Sequence, residues 1–234
     1  MNPGVSYPAL WVRALASFPR QTLRAVPRAL HDYPAWRAAL RPGRSPMADE
    51  APWITFAARR FLDGIVGPRS AVFEFGTGGS TLYFARRAAS LISVEHDPAW
   101  AETVRAAISA ARLDRSWRLL LVAPEAGSGG DPADPAAHHS SDGRSFRAYA
   151  SAIDACADES LDVVSVDGRA RPSCVAHART KIKPGGYLLL DDSERPHYRR
   201  AMELLRGWER RDCFGPAPYL RMFWQTTFFQ RPAR

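Results

Sequence analysis

Cysteine is scarce: Cys156, Cys174 and Cys213 are the only three in 234 residues, with no C-x-x-C spacing. An odd, scattered set gives no basis for a disulfide framework, so a reducing compartment with buried or idle thiols is expected. Long apolar runs are missing too, and with them any candidate membrane span. The N-terminus lacks the continuous apolar core of a signal peptide, because Arg13, Arg20 and several prolines interrupt it; cytoplasmic localisation follows by default. Acids are almost missing from residues 1–47, where Asp32 stands against seven arginines. That arm carries +6 of the net charge of +8, which leaves the remainder near neutral. Long helices are excluded from the same stretch by seven prolines. Short pieces over 9–17 and 22–25 remain available, with Leu10, Trp11 and Leu15 as an apolar stripe.

This basic, Pro/Arg-rich arm is expected to pack on its own domain or on a second copy, as a homo-oligomer contact. Its arginines would also suit nucleic acid or an anionic membrane surface. It lacks the aromatic–basic interleaving of a recognition module, however, so a nucleic-acid partner is not expected. Apolar content of 46% and charged content of 24% suit one domain over 48–234 with an ample core.

That domain is organised around Ala71-Val-Phe-Glu-Phe-Gly-Thr-Gly-Gly-Ser-Thr81. A strand over 71–75 runs into a turn at Gly76, Gly78 and Gly79, and a helix begins near Ser80. Glycine permits positive φ and brings main-chain N–H groups close to a ligand. Leu91-Ile-Ser-Val-Glu-His96 is a second strand, and Glu95 follows Gly76 by 19 positions, near the spacing at which an acid reaches a ribose diol. The pair describes a nucleoside-binding α/β unit.

Along the rest of the chain, periodicity predicts helices over 48–66, 81–88, 97–111, 145–157, 171–183 and 194–211. It predicts strands over 117–122, 161–167 and 187–192, with a tight turn at 183–186. Asp97-Pro98 is a good helix start. Two late stretches, 218–222 and 224–230, should pair as an antiparallel hairpin. Residues 124–143, rich in Gly, Pro, Ala, Ser and Asp, read as a flexible insert or lid. His138 and His139 within it read as a surface pair, no third ligand lying at suitable spacing. Alternating strands and helices argue for a doubly wound parallel sheet, with ligands beyond the carboxyl ends of its strands.

E-F-G-T-G-G-S resembles motif I of the class I S-adenosylmethionine-dependent methyltransferases, and S-V-E-H-D resembles their post-I segment. The resemblance extends from about residue 53 to 230. It implies a Rossmann-like, doubly wound, mostly parallel seven-stranded sheet with a C-terminal antiparallel hairpin. It also implies that Glu74 sits near the methionine end of the cofactor and that Glu95 holds the ribose hydroxyls. Gly76, Thr77, Gly78, Gly79, Ser80 and His96 complete the implied S-adenosyl-L-methionine site, and Ser80 departs from the family's last glycine.

V-D-G…K-P-G-G-Y-L-L-L-D-D resembles the metal-dependent O-methyltransferases of the catechol and macrolide-sugar types. Carried over, this makes Asp167, Asp191 and Asp192 ligands of Mg2+ and a small-molecule or sugar hydroxyl the acceptor. Asp167 and Asp192 read equally well as helix caps. Arg169 and Arg171 on the same rim would either bind an anionic substrate or neutralise the acids internally. Asp167, and His197 with Tyr198, are the candidates for catalysis or substrate contact. Rival readings are a metal-free transferase acting on nitrogen or a macromolecule, a non-catalytic cofactor-binding scaffold with a recruiting arm, and a nicotinamide enzyme.

Overall fold

The computed structural model describes residues 6–127 and 130–233; the arm's first five residues, residues 128–129 of the insert and Arg234 lie outside the described residues. The arm folds into three helices, α1 (Tyr7–Ser17), α2 (Pro19–Ala25) and α3 (Ala29–Ala39). Its prolines punctuate rather than forbid them. Pro8 and Pro19 occupy first turns, where no N–H partner is lost. Pro34 lies inside α3, where the carbonyl it leaves unpaired belongs to Leu30, 89% exposed. The buried stripe is Tyr7, Leu10 and Ala14, while Leu15, expected in it, is exposed. The arm packs on its own domain: Tyr7, Leu10 and Trp36 cluster with Phe56, Tyr219 and Phe223, and Ala14 and Ala25 with Phe214. An Arg60–Asp32 ion pair of 2.6 Å adds a polar tie.

The domain proper comprises α4 (Phe56–Ile65), β1 (Ala71–Phe75), α5 (Gly79–Ala85), β2 (Ser90–Glu95), α6 (Pro98–Ala110), β3 (Trp117–Leu121), α7 (Arg147–Ser151), β4 (Leu161–Val166), α8 (Arg171–Ala178), β5 (Ile182–Leu190), α9 (Arg199–Glu203), β6 (Glu209–Pro216) and β7 (Phe223–Gln230). The strands form one seven-stranded sheet in the order β3-β2-β1-β4-β5-β7-β6. The first five are parallel, and β7 runs antiparallel to both β5 and β6. Residues of β1 alternate between two apolar layers. Phe73 and Phe75 join Phe146, Tyr149 and Val175 under α7, α8 and α9; Val72 joins Leu62, Leu82 and Val104 under α4, α5 and α6. Burial on both faces is what a continuous apolar central strand requires. Asp97 caps α6 through the amides of Ala99 and Trp100, as the Asp-Pro pair predicts.

Several boundaries differ from the sequence reading. The helix expected over 48–66 starts only at Phe56, where the Thr55 hydroxyl accepts from the Ala58 amide. The turn expected at 183–186 is absorbed into β5 with a register irregularity opposite Leu161. The helix expected over 194–211 shrinks to a 3-10 turn (Pro196–Tyr198) and α9, because Gly207 adopts φ +93 and turns the chain into β6. The hairpin is therefore built from β6 and β7, and 218–222 forms its connection. His138 is buried, not a surface residue: its Nε2 lies 3.0 Å from Nε2 of His177, which in turn holds Asp154 at 2.9 Å. The partner sits 39 residues away on α8, beyond any local spacing rule.

Two glycines report on this packing in opposite senses. A Cβ on Gly64, in the last turn of α4, meets nothing within 4 Å. Gly64→Ala should therefore stabilise by about 0.5–1 kcal/mol through reduced chain entropy. A Cβ on Gly79 would fall 2.0 Å from the Pro46 carbonyl oxygen. Gly79→Ala should lower the melting temperature, the 46–51 segment having to move. Thermal melts of both variants check the pair.

Candidate active site

The chain leaves β1 through Gly76, whose φ of +88 is open to glycine at no steric cost. A Cβ there would lie 3.1 Å from Gly168 Cα, just beyond β4; one on Gly168 would lie 3.0 Å from Gly76 N and 2.0 Å from the Tyr149 hydroxyl. The two strand ends thus pack backbone to backbone. Trp100 donates its indole N–H to the Thr77 carbonyl at 2.8 Å while remaining 39% exposed, so the turn has one aromatic wall. The Tyr149 hydroxyl is buried against Gly168, with the Arg169 main chain as its weak hydrogen-bonding neighbour.

The two motif acids have different surroundings. Glu74, 1% exposed, takes a hydroxyl from Ser80 on one oxygen and those of Thr81 (2.7 Å) and Ser93 (2.8 Å) on the other. Burial pushes its pKa up to about 7, against the lowering effect of these three hydroxyls. It braces the glycine turn and the start of α5 from behind, so its role near a cofactor is indirect. Ser93, directly opposite in the β1–β2 register, is a partner the motif gave no sign of. Glu95 faces the turn. Its Oε2 accepts from the Thr77 amide (3.0 Å) and hydroxyl (2.9 Å), and its Oε1 from the amides of His96 (2.7 Å) and Asp97 (3.0 Å). Burial alone would raise its pKa, but three main-chain amides and the Thr77 hydroxyl hold it below the usual value. His96 Nδ1 lies 2.7 Å from the same carboxylate, and its Nε2 receives Arg169 Nε at 3.3 Å.

Asp167, Asp191 and Asp192 do meet at the ends of β4 and β5, but around a guanidinium. Arg171, the first residue of α8, pairs with Asp167 at 2.8 Å and Asp192 at 3.2 Å, and donates to the carbonyls of Asp191 (2.7 Å) and Gly168 (3.2 Å). Arg195 reaches Asp192 at 2.6 Å. The Asp191 carboxylate turns to the hairpin, where Thr226 Oγ1 (2.6 Å) and Trp224 Nε1 (3.2 Å) donate to it. Burial raises the pKa of Asp167, with Arg171 opposing and Asp192 adding; burial and both neighbouring acids raise that of Asp191. These donors do not fit the expected Mg2+ ligand set. Arg171 already holds two of the carboxylates and hairpin donors hold the third. Among the described residues no group of three or more His, Cys, Asp or Glu is arranged to hold a metal ion. Nor does Asp167 or Asp192 cap a helix: Ala170 and Arg195 stand at the N-cap positions of α8 and of the 3-10 turn.

His197 is exposed and meets Tyr198 edge to face. It lines a cleft of about 130 Å3 with Gly168, Arg169, Arg171, Arg195 and His139. Burial, then Arg195 and Arg171, lower its pKa, so the imidazole is neutral near pH 7. The predicted residues therefore fall into three groups: a brace (Glu74, Ser80), a turn with its facing acid (Gly76–Gly78, Glu95, His96), and an arginine-filled acid cluster beside a cleft (Asp167, Asp191, Asp192, His197).

Ionising Glu74 costs more in the fold than in the unfolded chain. Its contribution to stability is present in full below about pH 4.5 and is lost as pH rises to about 7. Glu74→Gln removes that slope. Relative to wild type, the variant should gain about 3 kcal/mol between pH 4.5 and 8, read from denaturant melts at several pH values.

No protein-family model matches the chain, and no curated protein does. Among solved structures it resembles a methyltransferase-like protein from Silicibacter pomeroyi, with 27% identity, a TM-score of 0.54, and 76% of this chain and 87% of that one covered. A putative O-methyltransferase from Klebsiella pneumoniae aligns over 100% of this chain and 93% of its own at 16% identity and TM-score 0.53. The O-methyltransferase TomG from Streptomyces achromogenes, solved in complex with SAM, aligns over 69% and 73% at 17% identity and TM-score 0.51. With the strand order and strand-end turn described above, these likenesses show that the chain has the fold of the class I S-adenosylmethionine-dependent methyltransferases.

Proposed function

We propose that the chain transfers a methyl group from S-adenosyl-L-methionine to a hydroxyl of a small molecule, and does so with no divalent ion at its aspartates. The observation that carries the reading is Glu95: an ionised carboxylate at the end of β2, aimed at a bare-backbone turn where β1 and β4 meet. An acid there is suited to a vicinal diol, because a carboxylate offers about four lone pairs to hydroxyl donors. Of its present partners, the Thr77 hydroxyl and the His96 ring are held by side chains and can be released by side-chain rotation. The buried Tyr149 hydroxyl and the exposed indole of Trp100 supply a polar atom and an apolar face at the same turn. Bound there, the cofactor supplies a methyl group activated by its sulfonium.

The chain's own residues then have three tasks. Glu95, Thr77 and Trp100 hold the donor; the shared Gly76–Gly168 backbone surface fixes its distance from the cleft; His197 receives the acceptor's proton. A neutral imidazole is the right form for that last task, and its lowered pKa keeps it so. Alignment of donor and acceptor supplies much of the acceleration in such transfers. Asp167, committed to Arg171, positions rather than reacts. A metal is not needed to neutralise the acids, because Arg171 and Arg195 already do so.

S-adenosylhomocysteine should raise the melting temperature, by the equivalent of about 2.7 kcal/mol at a hundredfold excess over its dissociation constant, and NAD should not. Glu95→Ala should lose most of that shift; a folded wild type indifferent to S-adenosylhomocysteine would sink the reading. Arg171→Met should cost roughly 3–5 kcal/mol by leaving buried carboxylates unpaired. The same variant should become stabilised by Mg2+ while wild type does not, and chelator should leave wild-type methyl transfer unchanged. A Mg2+-dependent melting shift in wild type would overturn the metal-free part.

A further inference from the structure

The cleft beside the glycine turn has an unusual charge balance. Arg169, Arg171, Arg195, His139 and His197 line it with the hydroxyls of Ser140 and Ser141, and among the described residues no lining side chain is a carboxylate. The three arginines are not equivalent. Arg171 and Arg195 are engaged by Asp167 and Asp192 from behind the wall. Arg169 is exposed, its Nε is turned to His96 Nε2, and among the described residues no carboxylate pairs with it. Its two Nη groups make no hydrogen bond or ion pair among the described residues, which keeps their donors available to a planar oxyanion. Asp142 feels its charge: the pKa of that acid is held low first by its hydrogen bonds to Arg144, with Arg169 adding at longer range. His197 feels the field of the other two arginines. Gly168 belongs to this cleft and packs against Gly76, so whatever occupies the cleft lies next to the strand-end turn.

We propose that this cleft binds an oxyanion group, a carboxylate or a phosphate monoester, on the methyl acceptor, with Arg169 as its counter-ion and Ser140, Ser141 and His139 as hydrogen-bonding neighbours. The word acceptor rests on the methyltransferase reading; the anion site itself does not. A hydroxyl-bearing acid or sugar phosphate anchored there would present its hydroxyl toward His197. A neutral acceptor of the same shape would leave Arg169 unmatched.

Acetate and methyl phosphate, titrated separately and followed by ligand-observed NMR, test this on the full chain. Wild type should bind at least one of them saturably, and Arg169→Gln should weaken that binding roughly tenfold or more, the loss of one charge-assisted bidentate contact. The variant's melting temperature should stay close to that of wild type, because Arg169 is exposed and Gln keeps a donor for His96. Which probe binds distinguishes carboxylate from phosphate. No saturable binding of either probe below about 20 mM, or affinity within about twofold in the variant, overturns the proposal. A missing S-adenosylhomocysteine shift with anion binding intact would instead remove the methyltransferase reading and leave the anion site standing.

Discussion

Three aspartates stand together at the ends of β4 and β5 because a guanidinium stands among them. Arg171 closes two ion pairs and two carbonyl bonds at once, joining the β4–α8 turn to the exit of β5. Burying a charge set of this kind is tolerable only when its counter-charge is fixed in place and its hydrogen-bonding capacity filled. The arrangement also explains Ala170, which holds φ +44 immediately before α8. A left-handed alanine costs on the order of 1 kcal/mol. It persists where the bonds made by its neighbour determine the path of the chain. A divalent ion would supply the same neutrality, but without the directional bonds that fix the entry of α8.

The two glutamates of the strand-end motif show burial and donor chemistry pulling a carboxyl's pKa in opposite directions, with opposite outcomes. Both are nearly inaccessible. Around Glu74 burial wins: it raises the pKa against three hydroxyls that lower it, and those hydroxyls, which can accept as well as donate, still accommodate the protonated form. Around Glu95 they are mainly main-chain amides, which only donate, so the site admits little but the carboxylate. One acid is thereby a brace that can be neutral, and the other a permanent charge beside the turn. Sequence spacing treats them as a pair, but the structure gives them separate work.

Much of this was legible in the chain itself. The central strand, the Asp97-Pro98 helix start, the parallel order and an antiparallel C-terminal pair all follow from short-range patterns. What local pattern could not supply was the identity of partners far away in sequence. Nothing near Asp191 announces Thr226, 35 residues on, and nothing near His138 announces His177. The hairpin was misplaced for a related reason. Residues 199–211 carry helical periodicity in Met202, Leu205 and Trp208, yet pairing with β7 takes residues 209–216 once Gly207 has broken the helix. The arginine cluster was visible, with its two roles left open; the structure divides them, Arg171 inward and Arg169 outward.

That division extends to how the site is assembled. The glycine turn, Glu95 and Trp100 lie on β1, β2 and α6, on short connections dense in motif. The cleft is walled by residues 132 and 139–141 of the insert, by the entry to α8 and by the 195–198 turn. The insert is held against these elements by His138 on His177 and by Asp131 on Arg200, so it is docked on the domain through side chains of α8 and α9. Because those ties lie on the insert side of Gly168, substitutions in the insert can reshape the cleft without disturbing the Gly76–Gly168 contact. A fixed turn beside a replaceable wall is an arrangement in which one donor chemistry can be kept while the acceptor changes.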